Sequence, residues 1–268
     1  MSLPGLKKYH KAPYAAISPT RPESSQTGRT VLITGGNSGI GYAIARSFIM
    51  ASVRHVIITG RRPDIVQSAA ENLAKESKSL AQETVVTGHV CDSASVEQVG
   101  ALWEALQNER VFVDVLVLNA AAAGQRKAIL HNGLGNVWAD FEMNVRGHLD
   151  FAERFYKQTG KGASKQKVSY ISTSVRPTNE TDIALLQHLV NVSSCATYMW
   201  STVAPERPSY GLTKNCGTLL LQQIAKDVAP DDMQVVSYHP GGIYTEMARK
   251  AGYDDSLSYD NGQSRPPA

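Results

Sequence analysis

The chain has 268 residues, of which 42% are apolar, and a chain of this size and composition can bury one large hydrophobic core. Its formal net charge of +3, with no basic run longer than a pair, disfavours a nucleic-acid-binding or membrane-surface protein. Its three cysteines form no CxxC pair, which disfavours a disulfide framework and a cysteine-based zinc site. Without a signal-peptide pattern or an apolar run near the roughly 18 residues of a spanning helix, we expect a soluble, cytoplasmic protein.

Residues 1–28 contain four prolines and little hydrophobic periodicity. We therefore predict a leader arm there that lies over the fold or is partly disordered. The remainder, residues 29–268, is predicted to form a single domain, because α/β sheets of this size usually remain undivided.

The stretch Val31–Gly41 is an apolar run that ends in a glycine-rich turn and leads into Tyr42–Met50, which is predicted to be a helix. Its glycines allow a tight turn and let a pyrophosphate approach the N–H groups of a helix N-terminus. Glycine-rich turns also serve as plain connections between a strand and a helix. Taken alone, this stretch leaves both interpretations open.

The rest of the chain alternates β-branched runs with segments of helical periodicity. Strands are predicted at His55–Gly60, Val85–Val90, Val113–Leu118 and Met233–Tyr238, the first and third of them buried. Helices are predicted at Pro63–Lys75, from a cap at Ser93 or Ser95 to Leu106, at Val137–Tyr156 and at Ser209–Val228. This alternation indicates repeated βαβ units, so the predicted fold class is α/β, a doubly wound, Rossmann-like parallel sheet in three layers.

Several short motifs follow one another in a fixed order: Thr34-Gly35-Gly36-Asn37-Ser38-Gly39-Ile40-Gly41, Asp92, Asn119-Ala120-Ala121, Asn144, Asn191-Val192-Ser193-Ser194, Tyr210-Gly211-Leu212-Thr213-Lys214 and Pro240-Gly241-Gly242-Ile243-Tyr244-Thr245. This succession closely resembles the short-chain dehydrogenase/reductase family over roughly residues 30–250. The resemblance implies an oxidoreductase that transfers a hydride between nicotinamide and a carbonyl or secondary alcohol of a small organic metabolite.

The residues at the end of the second predicted strand bear on the choice of cofactor. Proteins that bind NAD place a carboxylate there, about 20 residues past the glycines, on the ribose 2′-hydroxyl. Here the position holds Gly60, followed by Arg61 and Arg62, and a guanidinium can bind a 2′-phosphate through two hydrogen bonds. We therefore predict NADP(H) as the cofactor, with the alternative that both arginines are ordinary solvated surface.

The resemblance also assigns cofactor contacts to individual residues. Asp92 would accept a hydrogen bond from the adenine amino group, or it would cap the next helix, which Ser93 or Ser95 could do instead. Asn119 would steady the strand beside the nicotinamide ribose, although the family's usual Asn-Asn-Ala-Gly is Leu-Asn-Ala-Ala here. The predicted set is Gly35, Asn37, Ser38, Gly39, Ile40, Gly41, Arg61, Arg62, Asp92, Asn119, Ala120, Tyr210, Lys214, Pro240, Gly241, Ile243 and Thr245.

Tyr210 and Lys214 form the predicted reactive pair, because residues four apart lie on the same face of a helix. A free tyrosine has a pKa of about 10, and a neighbouring ammonium favours its phenolate form. By resemblance, Tyr210 exchanges a proton with the substrate oxygen, and Ser194 donates a hydrogen bond to it. Asn144 would hold a water that links Lys214 to solvent. Taken singly, each residue has an ordinary structural interpretation, and their joint arrangement favours catalysis.

Residues 160–188 form an insertion where the family has a short connection. We predict either a loop over the substrate cleft or the translated product of intron ends. Both Lys167–Ser174 and Leu189–Ser194 have the pattern of a strand. We predict the second as the fifth strand, because Ser194 lies 16 residues before Tyr210, close to the family's spacing. The alternative hydrogen-bond donors are Ser172 and Ser174.

The end of the chain also departs from the family, which has a seventh strand after the position of Thr245. Residues 253–268 are polar and contain no apolar run. The seventh strand is therefore predicted to be missing, which leaves the edge of the sixth strand exposed.

The combined prediction is an NADP-dependent ketoreductase or alcohol dehydrogenase with a small-molecule substrate. The resemblance further implies a homodimer or homotetramer, and the apolar helix residues Leu219, Leu220 and Ile224 are predicted to contribute to its interface. The alternative function is a catalytically silent dinucleotide-binding or scaffold protein. The presence of both Tyr210 and Lys214 favours the enzyme.

Overall fold

The computed structural model describes residues 14–159, 186–197 and 207–250. They form a six-stranded parallel sheet with helices on both faces, which confirms the predicted fold class. The strands are β1 (Thr30–Ile33), β2 (His55–Gly60), β3 (Val85–Val90), β4 (Val115–Leu118), β5 (Gln187–Val192) and β6 (Met233–Tyr238). Their order is β3-β2-β1-β4-β5-β6. The direction of winding therefore reverses between β1 and β4, and sheets of this kind bind ligands in the crevice at that point.

Helices connect these strands. They are α1 (Gly39–Met50), α2 (Pro63–Ser79), α3 (Val96–Asn108), α4 (Ile129–Asn132), α5 (Leu134–Phe141), α6 (Gly147–Lys157), α7 (Pro208–Asp227) and α8 (Glu246–Lys250). A π-helical turn, Glu142–Arg146, joins α5 to α6, so that the three form one continuous helix.

The alternation of side chains along each strand divides the hydrophobic core into two clusters. Leu32 and Ile57 lie in one cluster with the aromatic residues of α3 and α6. Their neighbours Ile33 and Ile58 lie in the other cluster, with residues of α1 and α2. Every residue of β1, β2 and β4 is buried, as expected for aliphatic strands that are covered on both faces. The sheet is thus the middle of three layers.

Most predicted strand boundaries agree with the structure, and β2, β3 and β6 match at both ends. The fourth strand is a correction, since β4 begins at Val115 rather than Val113. The backbone of Val113 pairs with a side chain instead of a strand. Its N–H donates to Gln158 Oε1 at 2.9 Å, and its carbonyl accepts from Gln158 Nε2 at 2.8 Å.

The fifth strand, Gln187–Val192, lies between β4 and β6, which confirms the choice of the second candidate segment. Its boundaries are two residues earlier than predicted at each end, because the chain leaves the sheet after Val192 and turns into a 3₁₀ helix at Cys195–Thr197. The rival segment Lys167–Ser174, with Ser172 and Ser174, lies outside the described residues, as does most of the predicted insertion.

The helix predicted at Val137–Tyr156 begins earlier, at Leu134, and is not uniform. Its π-helical turn has Asn144 at the centre. Hydrophobic periodicity did not indicate this turn, because a broad apolar stripe tolerates a shift of one residue in phase. Turns of this kind often occur at functional sites.

The edge of the sheet beyond β6 is open in the part of the chain that the structure describes. There β6 pairs with β5 alone, and no seventh strand is present among these residues. Val236 and Tyr238 of β6 are consequently exposed.

Only residues 14–28 of the predicted leader are described, and they contain two short 3₁₀ turns, Ala15–Ile17 and Pro22–Ser24. The Gln26 N–H donates to the carbonyl of Ala51 at 2.7 Å, which fixes this segment beside the end of α1. The division of the chain into a leader and a single domain stays a prediction.

Candidate functional site

The turn after β1 brings backbone N–H groups to the start of α1. Gly35 and Gly39 have φ angles of 63° and 53°, in the left-handed region that favours glycine. A Cβ at Gly41 would lie 2.3 Å from the carbonyl oxygen of Gly35, so a side chain is excluded there. Ser38 is the N-cap of α1, but within the described residues its side chain accepts no hydrogen bond from the helix. The helix N-terminus is therefore suited to an anion such as a phosphate group.

The loop after β4 is tied to this turn. Asn119 Nδ2 donates to the carbonyl oxygens of Thr34 at 2.9 Å and Gly35 at 3.2 Å. In return, Thr34 Oγ1 accepts from the backbone N–H groups of Asn119 and Ala120, both at 3.0 Å. The structure thus brings the predicted cofactor residues Gly35, Asn119 and Ala120 together at the point where the winding reverses.

At the end of β2, a side chain at position 60 would require the side chains of Asn37 and Val66 to move. A Cβ on Gly60 would lie 2.4 Å from Asn37 Oδ1 and 2.9 Å from a methyl group of Val66. The next two residues, Arg61 and Arg62, are exposed at the same edge of the sheet as the glycine-rich turn. The second strand thus ends in a glycine without a carboxylate, and two guanidinium groups follow it directly.

The cap of α3 is Ser95, whose Oγ accepts from the Gln98 N–H at 3.2 Å. Asp92 precedes it, and its Oδ1 accepts from the Ala94 N–H at 3.0 Å. Of the three residues considered for this cap, Ser95 fills the position, and the carboxyl group of Asp92 is not needed for it.

The N-terminal half of α7 carries Tyr210 and Lys214. Lys214 is only 5% exposed, and its Nζ donates to the carbonyl oxygen of Val192 at 2.8 Å. Burial lowers the pKa of its ammonium to about 8. Tyr210 is half-buried in the first turn of the helix. The lysine of the predicted pair is thus fixed at the end of β5, where Ser194 follows two residues later.

The hydroxyl of Ser194 lies in a buried position just after β5. Its Oγ accepts from the Ala196 N–H at 3.2 Å, and its own hydrogen is a rotatable donor that also interacts with the side chain of Cys195. Its neighbour Ser193 pairs instead with Thr218 of α7, through hydroxyl oxygens 2.8 Å apart. Of the two serines, Ser194 is therefore the better placed hydrogen-bond donor.

Asn144 is fully buried and connects α7 to the loop after β4. Its Oδ1 accepts from the Ala122 N–H at 2.8 Å, and its Nδ2 donates to the Ala122 carbonyl at 3.0 Å. The same Nδ2 donates to Thr213 Oγ1 at 2.8 Å. The π-helical turn therefore carries a residue that fixes the loop and α7 relative to each other, and the predicted water beside it stays a prediction.

The segment after β6 lies over the start of α1. Gly241 has a φ of 91°, and this turn leads the chain back toward the first glycine-rich turn. A Cβ built on Gly39 would lie 3.2 Å from Thr245 Cγ2, so the two turns are in contact. Pro240, directly before Gly241, and Ile243, two residues before Thr245, were also predicted to contact the cofactor. Both are half-buried.

Comparison with known proteins decides the family. A family model described as short chain dehydrogenase matches residues 29–175, which is more than half of the chain. The chain belongs to the short-chain dehydrogenase family. It is accordingly an oxidoreductase of the class that transfers hydride between a nicotinamide cofactor and an alcohol or ketone.

This short-chain dehydrogenase is 30% identical over 257 residues to a short chain dehydrogenase/reductase of Claviceps purpurea, covering 95% of this chain and 76% of the relative. It is 27% identical over 253 residues to the short chain dehydrogenase/reductase AacuD of Aspergillus aculeatus, covering 94% and 77%. The structure of L-sorbose reductase from Gluconobacter frateurii, complexed with NADPH and L-sorbose, has a TM-score of 0.66 at 22% identity and covers 89% of this chain and 78% of that one. That structural likeness shows the fold.

Some residues of the candidate site were not singled out from the sequence. His148 and Asp140 are buried one turn after and one turn before Asn144, and their spacing of four along one helix is the signal that could have indicated them. Asp140 accepts a hydrogen bond from the buried Ser209, directly before Tyr210. These contacts attach the helix around the π-turn to the first turn of α7.

Within the ranges that the structure describes, the dehydrogenase has no group of three or more histidine, cysteine, aspartate or glutamate residues that could hold a metal ion. No helix in those same ranges is long and apolar enough to cross a membrane. The predicted apolar face of α7 is only partly on the surface. Leu219 is 57% exposed, whereas Ile224 packs against the core.

Proposed function

We propose that this short-chain dehydrogenase is an NADP(H)-dependent ketoreductase or alcohol dehydrogenase, with Tyr210 as its acid and base and a small organic carbonyl compound or secondary alcohol as its substrate. The observation that carries this proposal is the position of Lys214. Its ammonium is buried, bound to the Val192 carbonyl at 2.8 Å, and one helical turn from Tyr210. A buried ammonium beside a phenol favours the phenolate form, whereas the charge of a solvated surface lysine is screened by water and salt.

Each residue of the proposed site has a distinct task. With a pKa of about 8, Lys214 is mainly protonated at neutral pH, and its positive charge favours the phenolate form of Tyr210. Tyr210 gives a proton to the carbonyl oxygen during reduction and takes one from the alcohol during oxidation. The hydroxyl of Ser194 donates its hydrogen to that oxygen and stabilises the charge that develops there. The nicotinamide cofactor supplies or accepts the hydride when it is bound.

The residues present fit a dinucleotide. The absence of a side chain at Gly41 lets α1 pack closely against the Gly35 carbonyl, and the N–H groups at the N-terminus of α1 are suited to bind a phosphate group. This place suits the pyrophosphate. Asn119 and Ala120, held against the turn by Thr34, suit the nicotinamide ribose. Half-buried Asp92 is available to the adenine, because Ser95 caps α3.

The preference for NADP(H) over NAD is argued from the end of β2. Position 60 is a glycine, so it offers no carboxylate to a ribose 2′-hydroxyl, and the side chain of Asn37 lies where its Cβ would be. The exposed Arg61 and Arg62 can instead bind a 2′-phosphate through paired hydrogen bonds. The proposal therefore places the 2′-phosphate at these arginines.

A titration separates this function from a catalytically silent binding protein. Purified wild type and Tyr210→Phe are titrated with NADPH and with NADH by fluorescence, and both are assayed with panels of diketones and quinones. We expect both proteins to bind NADPH more tightly than NADH, and only the wild type to turn over a carbonyl substrate. If neither protein binds NADPH, the cofactor assignment is wrong. If Tyr210→Phe reduces a substrate as fast as the wild type, Tyr210 is not the acid and base.

The proposal includes a homodimer or homotetramer. The outer surfaces of α6 and α7 expose apolar side chains that a second copy of the chain would cover: Leu149, Tyr156, Leu212 and Leu219. Light scattering after size exclusion tests this point. We expect a mass of two or four chains, and an Leu149→Glu, Leu219→Glu double variant that is monomeric.

A further inference from the structure

His148 is buried at the centre of the site and has no task in the reaction proposed above. It is 2% exposed and follows Asn144 by one turn on the same helix. Its Nε2 lies 3.1 Å from the carbonyl oxygen of Ala120. A carbonyl oxygen can only accept a hydrogen bond, so Nε2 carries the hydrogen and Nδ1 has none while the ring is neutral.

The surroundings of the ring keep it neutral. Burial, and after it the positive charge of Lys214 on α7, lower the pKa of His148 to about 4, against the opposing effect of the bond to Ala120. The Nδ1 side of the ring faces α7, where a Cβ built on Gly217 would lie 3.8 Å from it. At neutral pH the ring therefore has one hydrogen to donate, and the Ala120 carbonyl receives it.

The carbonyl of Ala120 belongs to the loop that the cofactor is proposed to contact. The N–H of the same residue is held by Thr34 Oγ1 at 3.0 Å. Two residues later, Asn144 holds both the N–H and the carbonyl of Ala122. The peptide group between Ala120 and Ala121 has no bond from Thr34 or Asn144, and the bond from His148 fixes it. Without that bond, this peptide group is free to rotate between two fixed points.

We propose that His148 is a positioning residue: its neutral Nε2–H form fixes the peptide group after Ala120, and so sets the loop against which the nicotinamide half of the cofactor binds. This inference rests on the proposed function for the identity of the ligand, while the hydrogen bond can be tested on the protein alone. Asn144 and His148 then act as a pair, one helical turn apart, that holds successive peptide groups of one loop.

Two variants of His148 separate positioning from simple packing. His148→Phe keeps a ring but removes the donor, whereas His148→Gln keeps an N–H group that can reach the Ala120 carbonyl. Phe151→Leu is the matched control, because Phe151 is buried on the same helix and packs against Trp103 in the core, with ring centroids 6.5 Å apart. It should lower stability without changing the loop.

Hydrogen exchange of residues 119–124 is measured on the protein without cofactor, and the Kd of NADPH is measured by fluorescence. For His148→Phe we expect exchange of the Ala120 and Ala122 amides, which Thr34 and Asn144 bind, and the Kd of NADPH each to rise about tenfold, the effect of losing one buried hydrogen bond. His148→Gln should restore both quantities to within about threefold of the wild type, and Phe151→Leu should change neither. The inference is overturned if His148→Phe leaves both quantities unchanged, or if Phe151→Leu changes them equally.

The nitrogen chemical shifts of the His148 ring provide a direct check. We expect the neutral Nε2–H tautomer throughout the range from pH 5.5 to 8. A ring that carries its hydrogen on Nδ1, or that is charged in this range, overturns the inference. If the wild type binds NADPH but reduces no carbonyl substrate, the proposed reaction fails while the exchange and binding results still decide the role of His148.

Discussion

Lys214 Nζ donates to the carbonyl oxygen of Val192 at 2.8 Å, so a buried ammonium is anchored to the last residue of β5. This one bond relates the helix that carries Tyr210 to the strand that Ser194 follows. The positions of Tyr210 and Ser194, the two donors of the proposed reaction, are therefore fixed relative to each other by the contact of α7 with β5 and not by the substrate.

Replacing Lys214 by methionine keeps an unbranched side chain, one atom shorter, and removes its charge. We expect kcat to fall by about 10²- to 10⁴-fold, because Tyr210 loses the cation that favours its phenolate. Steady-state kinetics at saturating NADPH measure the effect. Lys226→Met, an exposed lysine in the last turn of the same helix, is the control and should change kcat by less than about twofold. A Lys214→Met protein with the wild-type kcat would remove the ammonium from the mechanism.

The double variant Arg61→Ala, Arg62→Ala tests the preference for the phosphorylated cofactor. We expect the KM for NADPH to rise about 10- to 100-fold and the KM for NADH to remain within about twofold of its wild-type value. The reason is that only NADPH has a 2′-phosphate that the two arginines can bind. Lys157→Ala, on α6, removes an exposed positive charge elsewhere and should change neither constant. Equal increases for both cofactors would show that the arginines act on the overall charge alone.

Gly41 and Gly135 form a matched pair for the packing of the glycine-rich turn. At Gly41 a Cβ would lie 2.3 Å from the Gly35 carbonyl, whereas at Gly135, also in a helix, nothing lies within 4 Å. Gly41→Ala should lower the free energy of unfolding by about 1–3 kcal/mol through overpacking. Gly135→Ala should raise it by about 0.5–1 kcal/mol through helix propensity. Urea denaturation measures both, and a neutral Gly41→Ala would contradict the close contact.

Two buried histidines predict how stability depends on pH. Burial, first among the causes, lowers the pKa of His55 and of His148 to about 4, below the value of about 6.5 in an unfolded chain. The unfolded chain therefore binds more protons between these two values. The resulting stability is fully present above pH 6.5 and is lost as the pH falls toward 4.

The measurement is the free energy of unfolding at pH 7.5 and at pH 5 for the wild type and for His55→Gln. The variant should lose about 1–2 kcal/mol less than the wild type between these two conditions. The difference reports His55 together with its electrostatic effect on the neighbouring His89. Identical pH dependence in the two proteins would show that His55 is already accessible to protons in the folded state.

Much of the fold could be predicted because the strands are short runs rich in β-branched residues with clear limits. His55–Gly60 has the apolar centre Val56-Ile57-Ile58 and lies between two arginines, and its limits match the structure. The start of β4 was wrong for a reason that lies outside local sequence. Val113 has the residue type of a strand, but its backbone is bound by Gln158, which is 45 residues away.

The candidate site could be predicted only where chemistry and spacing coincide. Tyr210 and Lys214 are four residues apart on one helix, and the family resemblance supplied the rest. His148 and the pair of Asp140 with Ser209 were missed because each depends on a contact between distant segments. Sequence periodicity assigns such residues to a buried helix face, and only the fold shows which polar group each one meets.

The single wide turn at Glu142–Arg146 has a consequence for engineering the chain. A π-helical turn holds about one residue more than an α-helical turn, so removing one residue there would leave ordinary helix with its two halves close to their present phase. Phe151 and Phe155 would still face Trp103 in the core, whereas the backbone that presents Asn144 to the Ala122 peptide groups would change. Helix shortening at this place is thus expected to cost chemistry before it costs folding, because the surplus residue shapes the site and not the core.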